Sequence, residues 1–126
     1  SVLKGMKQRR IGRVINISSV LGKSGLADLS GYAATKGAVE SMTGSMAVEF
    51  AKFGITINAI APGFCETSYA EKFQKNQALN KSITNRIPME RWGSISEING
   101  ALDFLISSDA SYITGQVLNV DGGWSA

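Results

Sequence analysis

Three short apolar runs of one character punctuate the chain. Arg13-Val14-Ile15-Asn16-Ile17-Ser18-Ser19 is rich in β-branched residues and ends in small polar ones. A buried parallel strand reads this way, because both faces are covered and the carboxyl end opens to a loop. Ile55-Thr56-Ile57-Asn58-Ala59-Ile60 repeats the pattern and is stopped by Pro62-Gly63, and Val117-Leu118-Asn119-Val120 is stopped by Asp121-Gly122-Gly123. Between the first two runs, Val39, Met42, Met46, Phe50 and Phe53 recur at three- and four-residue intervals. That periodicity predicts a helix from about Ser30 to Phe53, ended by Gly54. Its other faces carry Ala34, Gly37, Ala38, Ser41 and Ser45, small enough for close packing on two sides. Before the third run, Ser94-Ile95-Ser96-Glu97 matches a capping box, and Ile98, Ala101, Leu102, Leu105 and Ile106 form the core-facing stripe of another helix. Val2, Leu3 and Met6 already share one helical face, so the chain reads as entering at Ser1 in mid-helix.

Strand, helix, strand, helix, strand implies two right-handed crossovers onto a parallel sheet covered by helices. The expected class is α/β, as half of a doubly wound fold: three parallel strands with flanking helices, forming a single partial domain over residues 1–126. The mostly polar stretch from Phe64 to Pro88, with scattered Tyr69, Phe73, Leu79 and Ile83, interrupts the pattern. An insertion after the carboxyl end of a parallel strand commonly covers a ligand, so 64–88 is expected to act as a lid.

Composition narrows the chemistry. With 126 residues, 44% of them hydrophobic, one small core is expected. The formal charge of +3 is local, because Lys4, Lys7, Arg9, Arg10 and Arg13 crowd the start without interleaved aromatics. That pattern suits a helix end and strand entry, and no nucleic-acid partner is expected. Cys65 is the lone cysteine and there is no histidine, so this chain supplies neither a thiolate metal cluster, nor an imidazole ligand, nor a serine-histidine-acid triad; no metal is expected. No apolar run reaches the roughly 20 residues of a membrane helix, and the lone cysteine suits a reducing compartment. A soluble cytoplasmic chain is expected.

Chemistry without histidine has one clear candidate. Tyr32 and Lys36 stand at i and i+4, one turn apart on a helical face. A phenol normally titrates near ~10, and an adjacent fixed positive charge favours its ionised form, so such a pair can exchange a proton with an alcohol or carbonyl oxygen. Ser19 ends the first strand and can hold the same oxygen. Each residue also has a plainer reading: Ser19 as a loop or cap serine, Tyr32 as packing, Lys36 as a solvated helix face. Gly22-Lys23-Ser24 imitates the end of a phosphate-binding loop, but that loop needs glycine where Ile17 stands. Cys65 reads as a small apolar residue, since no imidazole is present to activate it.

Four strings, in order, resemble the classical short-chain dehydrogenase/reductase family: Gly12 to Ser19, Tyr32-Ala33-Ala34-Thr35-Lys36-Gly37-Ala38, Asn58-Ala59-Ile60-Ala61-Pro62-Gly63-Phe64, and Gly115 to Gly123. The resemblance implies the C-terminal half of a Rossmann fold, with the N-terminal half and its glycine-rich phosphate turn missing. It implies that Tyr32 is the general acid/base, that Ser19 orients the substrate oxygen, and that Lys36 tunes the tyrosine and bonds the nicotinamide ribose. Pro62, Gly63 and Phe64 would shape the wall beside the nicotinamide, and the backbone near Cys65 with the Thr67 hydroxyl would hold its carboxamide. The cofactor would be NAD or NADP, the substrate a small carbonyl or alcohol, and the complete enzyme a homodimer or homotetramer. The pattern resembles 3-oxoacyl-carrier-protein reductases, while Asn85 to Gly93 and Asp121-Gly122-Gly123-Trp124 look equally like gluconate-type sugar-acid dehydrogenases. By itself the chain is expected to be inactive, and a non-catalytic half-domain that acts only in assembly is the alternative from another class.

Overall fold

The computed structural model describes residues 2–68 and 70–126. Its elements run α1 (Val2–Arg9), β1 (Gly12–Ile17), α2 (Ser30–Phe50), β2 (Ile55–Pro62), α3 (Glu71–Lys75), α4 (Gln77–Arg86), α5 (Ile95–Ile106) and β3 (Val117–Val120). The strands form one parallel sheet in the order β1-β2-β3. β1 and β2 run in register from Gly12 opposite Ile55 to Ile17 opposite Ile60, and the Ser18 amide continues the ladder to the Ile60 carbonyl at 2.8 Å. β2 runs on to Pro62, two residues past its last pairing with β1, so the proline sits at the strand's end and not within the paired ladder.

β2 is the hub of the sheet. Ile55, Thr56, Ile57, Asn58, Ala59, Ile60 and Ala61 are all buried, which requires cover on both faces. On one face, Ala47 of α2 packs on Ile55 and Ile57, joined by Leu3, Met6, Val14, Met46, Phe50 and Phe53. α5 also lies over β1, β2 and β3 without packing on α2, so it covers the opposite face, where Thr56, Asn58 and Ile60 point. Each buried isoleucine contributes about 1.5–3 kcal/mol.

Two expectations are corrected here. The sheet steps in one direction from β1 to β2 to β3, yet the connecting helices lie on opposite faces, so the two crossovers have opposite hands rather than both being right-handed. The handedness preference arises when a twisted strand feeds a helix directly; residues 63–94 separate β2 from α5 and remove that constraint. The second correction concerns α2. Its buried residues are Thr43 and Ala47, whereas Met42 is 46% exposed and Val48 83% exposed. Small side chains let the helix backbone approach the sheet, and the larger ones flank the contact. The helix ends at Phe50, a single 3₁₀ turn over Ala51–Phe53 follows, and Gly54 closes it in the left-handed region at φ 70°.

The basic N-terminal stretch is a helix end and strand entry. The Arg10 guanidinium donates to the Lys52 carbonyl at 2.8 Å, and the Lys7 amine sits 4.2 Å from the Phe53 ring centroid. Ser94 caps α5 as its sequence predicts: its amide donates to the Glu97 carboxylate at 2.8 Å. Of the apolar residues in 64–88, Ile83 is buried and Phe73 packs beside it against Val20, Leu21, Ala70, Ile87, Trp92 and Trp124. Tyr69 lies outside the described residues. Among the described residues, no helix is long and apolar enough to cross a membrane.

Candidate active site

The carboxyl ends of three parallel strands gather the residues singled out from the sequence. Ser19 leaves β1 in extended conformation and caps a 3₁₀ turn over Val20–Gly22, its hydroxyl accepting from the Leu21 amide at 3.2 Å. The plainer reading of Ser19 as a cap is therefore correct. It is also incomplete, because the same hydroxyl keeps its proton, which has no acceptor among the described residues. Tyr32 occupies the first turn of α2, 45% exposed, and its phenol oxygen makes no hydrogen bond among the described residues.

Lys36 joins the two elements. Its amine donates to the Ile17 carbonyl at 2.9 Å and lies 5.7 Å from the centroid of the Tyr32 ring. The β1 groups bonded to β2 belong to the even-numbered residues, since Ser18 donates to Ile60; the Ile17 carbonyl therefore points to the open edge of the sheet. Lys36 satisfies that edge carbonyl and retains two further N–H donors. The reading of Lys36 as a freely solvated side chain does not hold. Ser19 and Tyr32 share no direct hydrogen bond; the Lys36 amine on the Ile17 carbonyl is one of the bonds that tie the strand end to α2.

At the end of β2, the Gly63 amide donates to the Val120 carbonyl at 2.9 Å, and a Cβ on Gly63 would stand 2.7 Å from Asp121 Cα. Only glycine fits this approach. Phe64 turns its ring into the aromatic cluster, edge-on to Trp92 at 5.5 Å and tilted to Trp124 at 4.8 Å, so any wall it offers to a ligand is backbone. An isolated parallel bridge pairs Cys65 with Gly93, through Gly93 amide to Phe64 carbonyl at 2.8 Å and Glu66 amide to Gly93 carbonyl at 2.9 Å. Cys65's own N–H and C=O face the other way and make no hydrogen bond among the described residues. Burial, reinforced by the nearby Glu97 charge, pushes its thiol above the ordinary value, which suits an inert side chain. The Thr67 hydroxyl accepts from the Ala70 amide at 3.2 Å and also keeps its proton.

The two arginines flagged near the lid diverge. Arg91 is bidentate to Glu97 at 2.6 and 3.0 Å and holds that carboxyl at about 2, the hydrogen bonds from Arg91 leading and the Ser94 amide adding. Arg86 instead stacks on Trp124, 3.9 Å from the ring centroid, with no acidic partner among the described residues. Trp124 is held by its indole N–H on Ser24 at 3.1 Å. Sequence reading passed over Ser18 and Glu40, whose side chains meet at 2.9 Å directly beneath the site.

Parallel strands whose carboxyl ends bring a serine beside the tyrosine and lysine of α2, with a glycine in close backbone packing at the next strand end, define half of a doubly wound α/β fold with a histidine-free polar cluster. The family model described as "Enoyl-(Acyl carrier protein) reductase" matches residues 1–125. The chain belongs to the short-chain dehydrogenase/reductase family. It is 42% identical over 121 residues to the 3-oxoacyl-[acyl-carrier-protein] reductase FabG of Rickettsia felis, an alignment covering 96% of this chain and 49% of that protein. It is 41% identical over 119 residues to 2-dehydro-3-deoxy-D-gluconate 5-dehydrogenase of Bacillus subtilis, covering 94% and 47%. The crystal structure of a gluconate 5-dehydrogenase from Burkholderia cenocepacia, in complex with NADP and tartrate, superposes with a TM-score of 0.96 at 38% identity, covering 98% of this chain and 49% of that one. The chain thus spans about half the length of the curated relatives it matches.

Proposed function

We propose that this chain forms the proton-transfer half of a nicotinamide-dependent oxidoreductase that interconverts a carbonyl and an alcohol in the manner of 3-oxoacyl-[acyl-carrier-protein] reductases. The observation that carries the reading is the Lys36 amine, 2.9 Å from the Ile17 carbonyl and 5.7 Å from the Tyr32 ring centroid. It ties the strand that ends in Ser19 to the helix that carries Tyr32. In this reading Tyr32 exchanges a proton with the substrate oxygen, Ser19 donates its spare proton to the same oxygen and holds it, and Lys36 keeps a positive charge beside the phenol.

The residues present also fit one end of NAD or NADP. Gly63 lets the end of β2 close onto Asp121, which leaves Pro62, Gly63 and Phe64 as a flat backbone wall. The Cys65 backbone, without a hydrogen bond among the described residues, and the Thr67 hydroxyl match a carboxamide's acceptor and donors, and the Tyr32 hydroxyl and the remaining Lys36 donors suit a ribose. When bound, the nicotinamide supplies or takes the hydride. Residues 64–88 act as the lid, docked through Ile83 and Phe73. The exposed small-residue face of α2 mates copies of the complete protein as a homodimer or homotetramer, in the cytoplasm.

A second substrate reading, a gluconate-type sugar acid, is favoured by Arg86, whose guanidinium is fixed on Trp124 without an acidic partner among the described residues and suits a carboxylate.

The test uses protein expressed from the complete reading frame, assayed with NADH and NADPH against a 3-oxoacyl thioester and a ketogluconate. Thioester turnover is expected. Tyr32→Phe should lower kcat by roughly 10²-fold or more while cofactor binding, read by fluorescence titration, is kept. Full activity in that variant removes Tyr32 from the mechanism, and a wild type without turnover on any ketone favours the assembly-only alternative.

A further inference from the structure

Ser18 stands immediately before Ser19, 2% exposed, with its side chain turned onto α2. Its Oγ lies 2.9 Å from Oε1 of Glu40 and 3.1 Å from the carbonyl of Lys36. A hydroxyl has one proton, so these two acceptors share it. The neighbouring residues repeat the connection. Asn16 Nδ2 donates to Oγ1 of the fully buried Thr43 at 2.8 Å, and Lys36 Nζ donates to the Ile17 carbonyl at 2.9 Å. Three consecutive strand positions, 16, 17 and 18, are thereby joined to positions 43, 36 and 40 of one helix.

Apolar packing is non-directional and would tolerate small slips of α2 along the sheet. Directional bonds to successive residues do not, so this polar seam sets the offset between Ser19 and Tyr32. Glycines make room for it: a Cβ on Gly22 would lie 3.1 Å from Glu40 Oε1 and 3.1 Å from the Lys36 carbonyl carbon, and one on Gly37 would lie 3.2 Å from the Gly22 carbonyl oxygen. The Glu40 side chain is only 9% exposed, and its second oxygen pairs with the Lys23 amine at 3.5 Å. That lysine is 64% exposed, so the ion pair is solvent-screened and the Ser18 bond is the enclosed one.

We propose that Glu40 is a positioning residue: by accepting the Ser18 hydroxyl it holds Ser19 at the offset from Tyr32 and Lys36 that proton transfer needs. This rests on the oxidoreductase reading above. Glu40 touches none of the reacting atoms and acts through Ser18.

In the full-length protein, Glu40→Leu and Ser18→Ala should each lower kcat by roughly 10- to 100-fold, the scale of a misplacement approaching 1 Å, with the cofactor KM within about 3-fold. Glu40→Gln, whose amide oxygen still accepts from Ser18, should recover most of the rate lost in Glu40→Leu. Lys23→Gln should leave kcat within about 2-fold, because only the screened pair is lost. Wild-type kcat in Ser18→Ala and Glu40→Leu overturns the proposal, as does a Glu40→Gln enzyme as slow as Glu40→Leu. If Glu40→Leu does not fold, Ser18→Ala decides alone. A wild type without turnover defeats the oxidoreductase reading instead; the seam is then judged by amide hydrogen exchange over residues 16–24, where equal rates in wild type, Glu40→Gln and Ser18→Ala refute it and faster exchange in Ser18→Ala alone supports it.

Discussion

Replacing Gly63 with alanine tests the geometry of the sheet edge in a single step. The added Cβ would stand 2.7 Å from Asp121 Cα, 2.8 Å from Asp121 Cβ and 3.3 Å from the Asp121 carbonyl oxygen, whereas ordinary contact begins near 3.4 Å. A displacement of about 0.7 Å is the least that relieves the overlap, judged as an overpacking problem. Asp121 cannot supply it freely, since its carboxylate accepts from the Gly123 amide at 2.9 Å, the Ser125 amide at 3.1 Å and the Ser125 hydroxyl. The shift therefore falls on Pro62 to Phe64, the stretch read as the wall beside the nicotinamide. Overpacking of this size costs about 1–3 kcal/mol of stability. A misplacement approaching 1 Å near the chemistry should lower kcat/KM about 10-fold or more. Thermal denaturation and steady-state kinetics on the full-length protein measure both. Gly44→Ala is the control, because a Cβ there meets nothing within 4 Å and a mid-helix alanine is favoured by up to about 1 kcal/mol. A Gly63→Ala enzyme with unchanged melting temperature and unchanged kcat/KM would refute the close approach and the role given to this wall.

Two further perturbations address stability. Ile57→Ala, at a fully buried site under α2, should destabilise by about 2–5 kcal/mol in denaturant titration, and a loss under about 1 kcal/mol would mean that the Ala47–Ile57 contact is not part of the core. Glu97 ionises at about 2 in the folded chain against an ordinary 4.5, lowered first by its hydrogen bonds from Arg91 and then by the Ser94 amide. Its stabilisation is thus fully present above the ordinary value and is lost as pH falls through about 2. Wild type should lose its advantage over Glu97→Gln across that window, by a modest amount because the pair is solvent-screened; melting curves whose separation stays constant from neutral pH to acid would contradict this.

Local periodicity explains which parts of the fold were legible beforehand. β3 is where its apolar run stands, between Gln116 and Asp121, and α5 begins at its capping box, because turns and caps are written in neighbouring residues. The buried face of α2 was not legible in the same way. Its apolar stripe named Met42, which is 46% exposed, and passed over Thr43, which is fully buried. Thr43 is tolerated there because Asn16, 27 residues earlier, donates to its hydroxyl, and no periodicity in a single helix carries that information. The hand of the second crossover was hidden for a related reason: it depends on the route of residues 63–94 over the sheet edge, not on any element's own pattern.

The site divides along the same line. Tyr32 and Lys36 are one turn apart, so their proximity was legible from spacing, and the 5.7 Å between amine and ring agrees with it. What spacing left open is where Lys36 sends its proton donors. The answer, the edge carbonyl of Ile17 at 2.9 Å, requires knowing that β1 ends beside the first turns of α2. Glu40 is the sharper case. It stands one turn beyond Lys36, a spacing shared by any helical neighbour pair, and the sequence reading passed over it. In the fold its side chain is 9% exposed and is bonded to Ser18, 22 residues away. A charge enclosed that closely is retained only where its hydrogen bonds are made, and the bonds made here lead to the residue next to Ser19. The residues proposed to carry chemistry were thus legible by type and spacing, while Glu40, proposed to aim them, became visible only once strand and helix were set side by side.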